Sequence, residues 1–223
     1  MRKGFTLIEL SIVLVVIGLV IGGILAGVDM VRSAELRKVI AETTAYKTAI
    51  YTFENKYGGL PGDIINATTF FPTATNGNGN GHIDYLGGVV GEEYYAWQQL
   101  ALAGLIEGTY TGATMSLPQS KLANGYYRVS YQTGVYTTNG NMISLNSYNT
   151  ATSLADGPIL SPKNVYSLDL KSDDGLAASG KIMGFNQQGV PGCVTNDYTV
   201  GSGVYLPTSE NITCKVFFVI STD

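Results

Sequence analysis

The chain has 223 residues, with 13 Lys and Arg against 17 Asp and Glu, a formal net charge of -4 and 28 glycines. Such sparse charge, with no Lys/Arg cluster beyond the N-terminal helix, argues against an electrostatic nucleic-acid surface. The length suits one anchored domain of ordinary size or two small ones. Arg2 and Lys3 open the chain, and Leu10 to Val28 is a run of nineteen residues in which Ser11 is the only polar side chain. As a helix that run spans about 28 Å, close to a bilayer core, so a membrane segment is expected over about 7–28. The basic start keeps its N-terminus cytoplasmic. No Ala-x-Ala site ends the run and no turn signal follows it, so a retained anchor is expected rather than a removed secretory signal. Gly18 with Gly22, and Gly23 with Gly27, have the small-x-x-x-small spacing that permits close helix packing in lipid. Glu9 stands out at the edge of this segment, because a carboxylate there is costly unless something neutralises it.

The helical pattern continues from Asp29 to about Tyr57. Leu36, Val39, Thr43, Tyr46, Ile50, Phe53 and Tyr57 recur at spacings of three and four and form one stripe. Gly58-Gly59 and Leu60-Pro61-Gly62 then stop the helix. Residues 58–223, rich in Tyr, Thr, Asn and Gly, are expected to form an extracytoplasmic globular domain of short strands and exposed turns. Within it, Glu92 to Ile106 reads as a second helix with Tyr95, Leu102 and Ile106 on its apolar face, flanked by Trp97 and Leu105 and ended by Gly108. Residues 126–136 and 142–148 alternate as strands, with an Asn139-Gly140 turn between them. Ser161-Pro162 caps a short helix to Lys171, and residues 214–220 form a final strand. The expected fold is α+β, a long N-terminal helix packed on an antiparallel sheet.

Cys193 and Cys214 permit one disulfide closing a C-terminal loop, which needs an oxidising compartment; the alternative is two reduced core thiols. Two places offer metal ligands. In "NGNGNGHID" Asn76, Asn78, Asn80 and Asp84 fall at positions one, three, five and nine of a calcium-loop pattern with Gly81 at six. The loop lacks acidic residues at the first three and has Gly87 at position twelve, so Asp63 or Glu92 would have to complete the shell. Asp169, Asp173 and Asp174 put three carboxylates within six residues, which repel one another unless hydrogen-bonded or metal-bound; Asp173 alternatively caps the turn at Gly175. Catalysis finds no support: His82, the only histidine, sits in a glycine-rich loop, which points to no Ser/His/Asp triad, and it cannot build a multi-histidine zinc cluster; no carboxylate pair is singled out. No cofactor is required, and Ca2+ is the one candidate ion.

The opening residues carry a further signal. Gly4, Phe5 and then Thr6-Leu7-Ile8-Glu9, after a basic start and before a long apolar run, resemble the cleavage and methylation motif of the type IV pilin and type II secretion pseudopilin superfamily. The segments 60–68, 92–108 and 167–182 also resemble segments found together in a pilin-like subgroup. The resemblance implies that a prepilin peptidase removes the leader 1–4 after Gly4 and that the new N-terminal Phe5 is methylated. It further implies that Glu9 neutralises the Phe5 amine of a neighbouring subunit. The implied partners are copies of the chain or other pilins in a helical filament, the prepilin peptidase/methylase, pilus or secretion assembly machinery, and the inner membrane. The implied location is a bacterial inner membrane, crossed once, and then a cell-surface or periplasmic filament. A pilus subunit is the first expectation; a secretion pseudopilin, or a minor or tip pilin with a binding role, is the alternative. Many members carry a proline where this chain has Ala26, and none precedes Pro61 here.

Overall fold

One α-helix, α1 (Leu7–Tyr57), runs unbroken for 51 residues, about 76 Å at 1.5 Å per residue. The computed structural model describes residues 6–85, 90–122, 124–135, 138–186, 191–195 and 203–222. Along α1 the residues 6–31 are exposed on all sides, and burial begins where the amphipathic stripe begins. Leu36, Val39, Thr43, Ala49, Ile50 and Phe53 are buried, with Tyr46 and Tyr57 half-buried beside them. Threonine hydroxyls within α1 are satisfied on carbonyls four residues back, Thr43 on Val39 and Thr48 on Thr44 at 2.8 Å each.

A short helical turn, α2 (Ala67–Phe70), precedes α3 (Glu92–Leu102). The helix α3 ends four residues before the expected Ile106. Gly104, at φ 70°, takes the left-handed position; its N–H donates to Ala101 O, and the Leu105 N–H reaches back to Leu100 O. That pair of bonds is a Schellman stop. It also corrects the expected face: Tyr94, Trp97 and Leu100 are buried, whereas Leu102 is 43% exposed.

The sheet is antiparallel throughout. The strands β1 (Gly125–Val135), β2 (Thr138–Asn149), β3 (Leu154–Gly157), β4 (Ile182–Asn186) and β5 (Cys214–Thr222) are ordered β1-β2-β5-β4, with β3 on β2. A last helix, α4 (Pro162–Ser172), has its proline in the first turn and ends one residue past Lys171. Asn139-Gly140 is not the hairpin turn: both lie in β2, where Gly140 pairs with Gln132, and pairing resumes at Val135 and Thr138 after a register shift. Gly134 sits at φ 67° in that irregularity, its N–H donating to Asn139 Oδ1 at 2.8 Å, so a bulge carries the strands past the Asn-Gly signal. Residues 136–137 lie outside the described residues.

Side-chain alternation assigns the two sheet faces. Val129, Ile143, Phe218 and Ile182 form one cross-strand row and join the stripe of α1 in a single core. Tyr46 of α1 meets Trp97 of α3 and Tyr127 of β1 edge-on, at 5.1 and 5.0 Å between ring centroids. Glu42 accepts hydrogen bonds from Ser120 Oγ and the Tyr127 hydroxyl at 2.8 Å and from the Lys121 N–H at 3.0 Å. It thereby ties the helix to the sheet domain. Cys193 and Cys214 are joined by a disulfide and both are fully buried.

Candidate functional site

Gly4 and Phe5 lie outside the described residues, which begin at Thr6. Thr6 is the N-cap of α1. The Glu9 N–H donates to Thr6 Oγ at 3.3 Å, while the Thr6 N–H and hydroxyl donate to Glu9 Oε2 at 2.7 and 2.8 Å. This is a capping box, which satisfies helix-end donors reciprocally. The Thr-x-x-Glu spacing of Thr6 and Glu9 is its sequence signature. Among the described residues Glu9 Oε1 accepts no hydrogen bond, so one oxygen stays open to a further donor. Ser11 satisfies its hydroxyl on Ile8 O at 2.9 Å. A Cβ added at Gly18, Gly22, Gly23 or Gly27 would meet nothing within 4 Å; the four glycines face open space in the single chain. The helix is the only one among the described residues long and apolar enough to cross a membrane.

The loop 76–84 is folded around carboxylates supplied by its neighbours. Asp63 accepts from the N–H groups of Asn80 and Gly81 at 3.0 and 2.9 Å, and Glu92 from those of Asn78 and Asp84 at 2.8 and 3.0 Å. Gly77 is required sterically, since a Cβ there would stand 2.2 Å from Gly62 O. Asn78 and Asn80 do meet Asp84, but through their amide NH2 groups, at 2.8 and 3.2 Å. Asn76 turns away to accept from the Thr68 N–H. Asp63 and Glu92 are therefore engaged by backbone N–H groups in this conformation, and a cation at the loop would have to compete with those donors for their oxygens. Burial, reinforced by Asp63 and Asp84, raises Glu92 above its ordinary range against the pull of its two N–H donors.

Asp169, Asp173 and Asp174 do converge, with ligand oxygens all within 4.8 Å of one another. Asp169, at the end of α4, is fully buried and accepts from the Tyr205 hydroxyl at 2.7 Å and the Gly175 N–H at 3.0 Å. Asp169 thus holds the turn at Gly175, the role the sequence suggested for Asp173. Asp173 accepts from the N–H groups of Lys181 and Ile182, and Asp174 from the Leu176 N–H and Ser179 hydroxyl at 2.8 and 2.7 Å. The cluster could chelate a divalent cation, although five of its six oxygens already accept hydrogen bonds.

Burial pushes the Asp169 carboxyl up to about 6, from an ordinary 3.8, against the opposing Tyr205 and Gly175 hydrogen bonds and with help from Asp174 and Asp173. A raised value favours the neutral form, so its stabilisation is complete below pH 4 and is lost as pH rises through 6. In calcium-free buffer the melting temperature should therefore be a few degrees higher at pH 5 than at pH 7.5, with Glu92 acting in the same direction. Asp169→Asn should flatten much of that difference in a thermal melt; an unchanged pH profile in the variant would remove Asp169 as its source.

Two residues that matter to the domain were not singled out in the sequence. Arg128 Nη2 and Nε reach Glu93 Oε2 at 2.6 and 3.1 Å, a buried pair between β1 and α3. No sequence spacing announces a contact between residues so far apart.

Residues 1–25 match the family described as prokaryotic N-terminal methylation motif. No curated protein and no solved structure matches the chain. The motif, together with a long apolar N-terminal helix packed on an antiparallel sheet, supports a pilin-like assignment without indicating which kind of pilin.

Proposed function

We propose that the chain is a structural subunit of a type IV pilus or related filament, held in the inner membrane by about residues 7–28 and assembled through α1. The observation that carries this reading is the bare half of α1. Leu7 is 89% exposed, Leu19 73% and Leu25 64%, a rod of apolar surface in water terms that needs lipid first and neighbouring helices afterwards. A tether alone would need the length but not the open glycine faces or a carboxylate beside the start. In the filament, Gly18, Gly22, Gly23 and Gly27 let helices approach closely. The open oxygen of Glu9 takes the Phe5 amine of the adjoining subunit. Residues 1–4 are the leader and 58–223 the extracytoplasmic domain. Prepilin peptidase/methylase, the assembly machinery and copies of the chain or other pilins are its partners.

Intact-mass measurement on the native protein should give a mature chain starting at Phe5 with one added methyl group. Gly4→Ala should accumulate full-length precursor in the membrane. A chain retaining Met1 in cells with an active prepilin peptidase would refute the processing step.

A second reading, the pseudopilin of a type II secretion system, is favoured by the carboxylate cluster Asp169, Asp173 and Asp174. Calcium held there would bind side chains from α4 and the following turn and would displace part of their hydrogen bonding. Calcium at millimolar level raising the melting temperature, with loss of the effect in Asp173→Asn, would support this reading.

A further inference from the structure

We propose that the face of the sheet turned away from α1 carries a binding site for a small acidic sugar, a hydroxylated ring bearing one carboxylate. The proposal goes beyond the filament role and does not depend on it.

The face is built by the same alternation that builds the core. Arg128, Ser144 and Phe217 pair directly across β1, β2 and β5, one register step from the apolar row Val129, Ile143 and Phe218. A sheet face that simply met solvent would leave such polar side chains well exposed, and a core face would make them apolar. Here Ser130 is 2% exposed, Ser144 5%, Asn146 2% and Arg128 7%. They floor a cavity of about 460 Å3, within the usual range for small-molecule sites, about 300–1,000 Å3.

The hydrogen-bond inventory of that floor is left half-filled. Asn146 Nδ2 donates to Ser144 Oγ at 2.8 Å and Gln132 Nε2 to Ser130 Oγ at 2.7 Å. Each serine is therefore occupied as an acceptor and keeps its proton to give. The carbonyl oxygens of Asn146 and Gln132 accept nothing among the described residues. Alternating hydroxyl donors and amide acceptors are what a ring with adjacent hydroxyls requires, since every sugar hydroxyl both gives and accepts. Buried polar groups are normally paired; these open onto a cavity instead.

One cation is also left over. Arg128 is committed to Glu93, to Ala155 O at 3.3 Å and to the face of the Tyr85 ring, 4.3 Å from its centroid. Asp156 accepts from the Thr152 hydroxyl at 2.8 Å. Lys215, half-buried on β5 and lining the same cavity, makes no hydrogen bond or ion pair among the described residues. Burial and the neighbouring Arg128 push its ammonium below the usual range, with Asp156 pulling the other way. Asp156 keeps its charge, since a threonine hydroxyl does not neutralise it, and attracts Lys215 from a distance. The ammonium has no direct polar contact among the described residues, so its N–H donors are open to a ligand carboxylate. The ring of Tyr85, 40% exposed, lies over Arg128 and supplies an apolar edge to the cavity rim.

The test uses the full chain in detergent micelles, with titration calorimetry and saturation-transfer NMR against glucuronate, glucose, acetate and an oligouronide. Glucuronate should bind saturably, and glucose and acetate each roughly tenfold or more weakly. Lys215→Gln should weaken glucuronate by a similar factor while leaving the melting curve and the residual glucose signal unchanged. Gln132→Ala, at the less buried edge, should weaken both sugars alike and serves if the lysine variant folds poorly. An oligouronide binding more tightly than the monosaccharide assigns the source to a polymer; equal binding assigns it to a free or terminal sugar. No saturation with any of the four ligands up to about 50 mM, glucose or acetate equalling glucuronate, or wild-type glucuronate affinity in the folded lysine variant would each overturn the proposal.

Discussion

Glu9→Gln should abolish filament growth while leaving membrane insertion, cleavage and the fold of the outer domain intact. The capping box makes glutamine the decisive replacement. Its amide oxygen still accepts from the Thr6 N–H and hydroxyl, the two bonds that Glu9 Oε2 receives at 2.7 and 2.8 Å, so the start of α1 is preserved. What glutamine lacks is charge. If the open Glu9 oxygen receives the amine of a neighbouring Phe5, the variant leaves an unpaired positive terminus in a low-dielectric contact, which is heavily penalised. The ratio of filament to membrane subunit should fall roughly tenfold or more, with the variant as sole copy. Glu9→Ala should fail in the same assay and also lose the cap. The two replacements separate two roles for one carboxylate. A cap alone predicts normal assembly for glutamine and a defect for alanine; recruitment predicts failure for both.

Removing the disulfide should have the largest effect on the domain itself. Cys193 and Cys214 close a loop of sequence separation 21, for which chain-entropy reasoning gives about 3 kcal/mol. Both are fully buried, so alanine is a cleaner replacement than serine, which would bury an unpaired hydroxyl. The bridge anchors the first residue of β5, which pairs with both β2 and β4. Asn186 at the end of β4 accepts from the N–H groups of Cys193 and Val194 at 2.6 and 3.1 Å. Cys193→Ala with Cys214→Ala should lower the melting temperature by roughly 6–12 °C. The single tryptophan, Trp97, is fully buried in the core and gives a direct fluorescence readout. A double variant melting with the wild type, or two free thiols in freshly isolated protein, would refute the pairing's role.

Much of α1 could be read directly from the sequence because each of its signals is local. The uniform apolar run, the stripe at spacings of three and four and the stop at Gly58 all concern residues within a turn or two of one another. The structure departs from the sequence expectation where a local signal competes with a longer-range arrangement. The helix α3 stops at Gly104 instead of Gly108, and its buried face centres on Trp97 because Tyr46 and the core meet it from other elements. Asn139-Gly140 is a strong turn signal overridden by a bulge at Gly134.

The candidate sites divide in the same way. The calcium-loop spacing of Asn76, Asn78, Asn80 and Asp84 counts positions along the chain. The loop's actual organisers, Asp63 and Glu92, arrive from the segments before and after it. Asp169, Asp173 and Asp174 are close in sequence and close in space, yet Tyr205, which holds Asp169, could not be inferred from them. Glu42 has no local signal of a tie to the sheet, because its partners Ser120, Lys121 and Tyr127 lie far along the chain.

The measurement that bears most directly on a filament role is electron microscopy of sheared surface and periplasmic fractions, joined to intact-mass identification of the filament protein. Filaments composed of this chain, beginning at Phe5 and carrying one added methyl group, are the predicted result. A chain found only as dispersed membrane subunits, in cells expressing its assembly machinery and with the leader correctly removed, would contradict it.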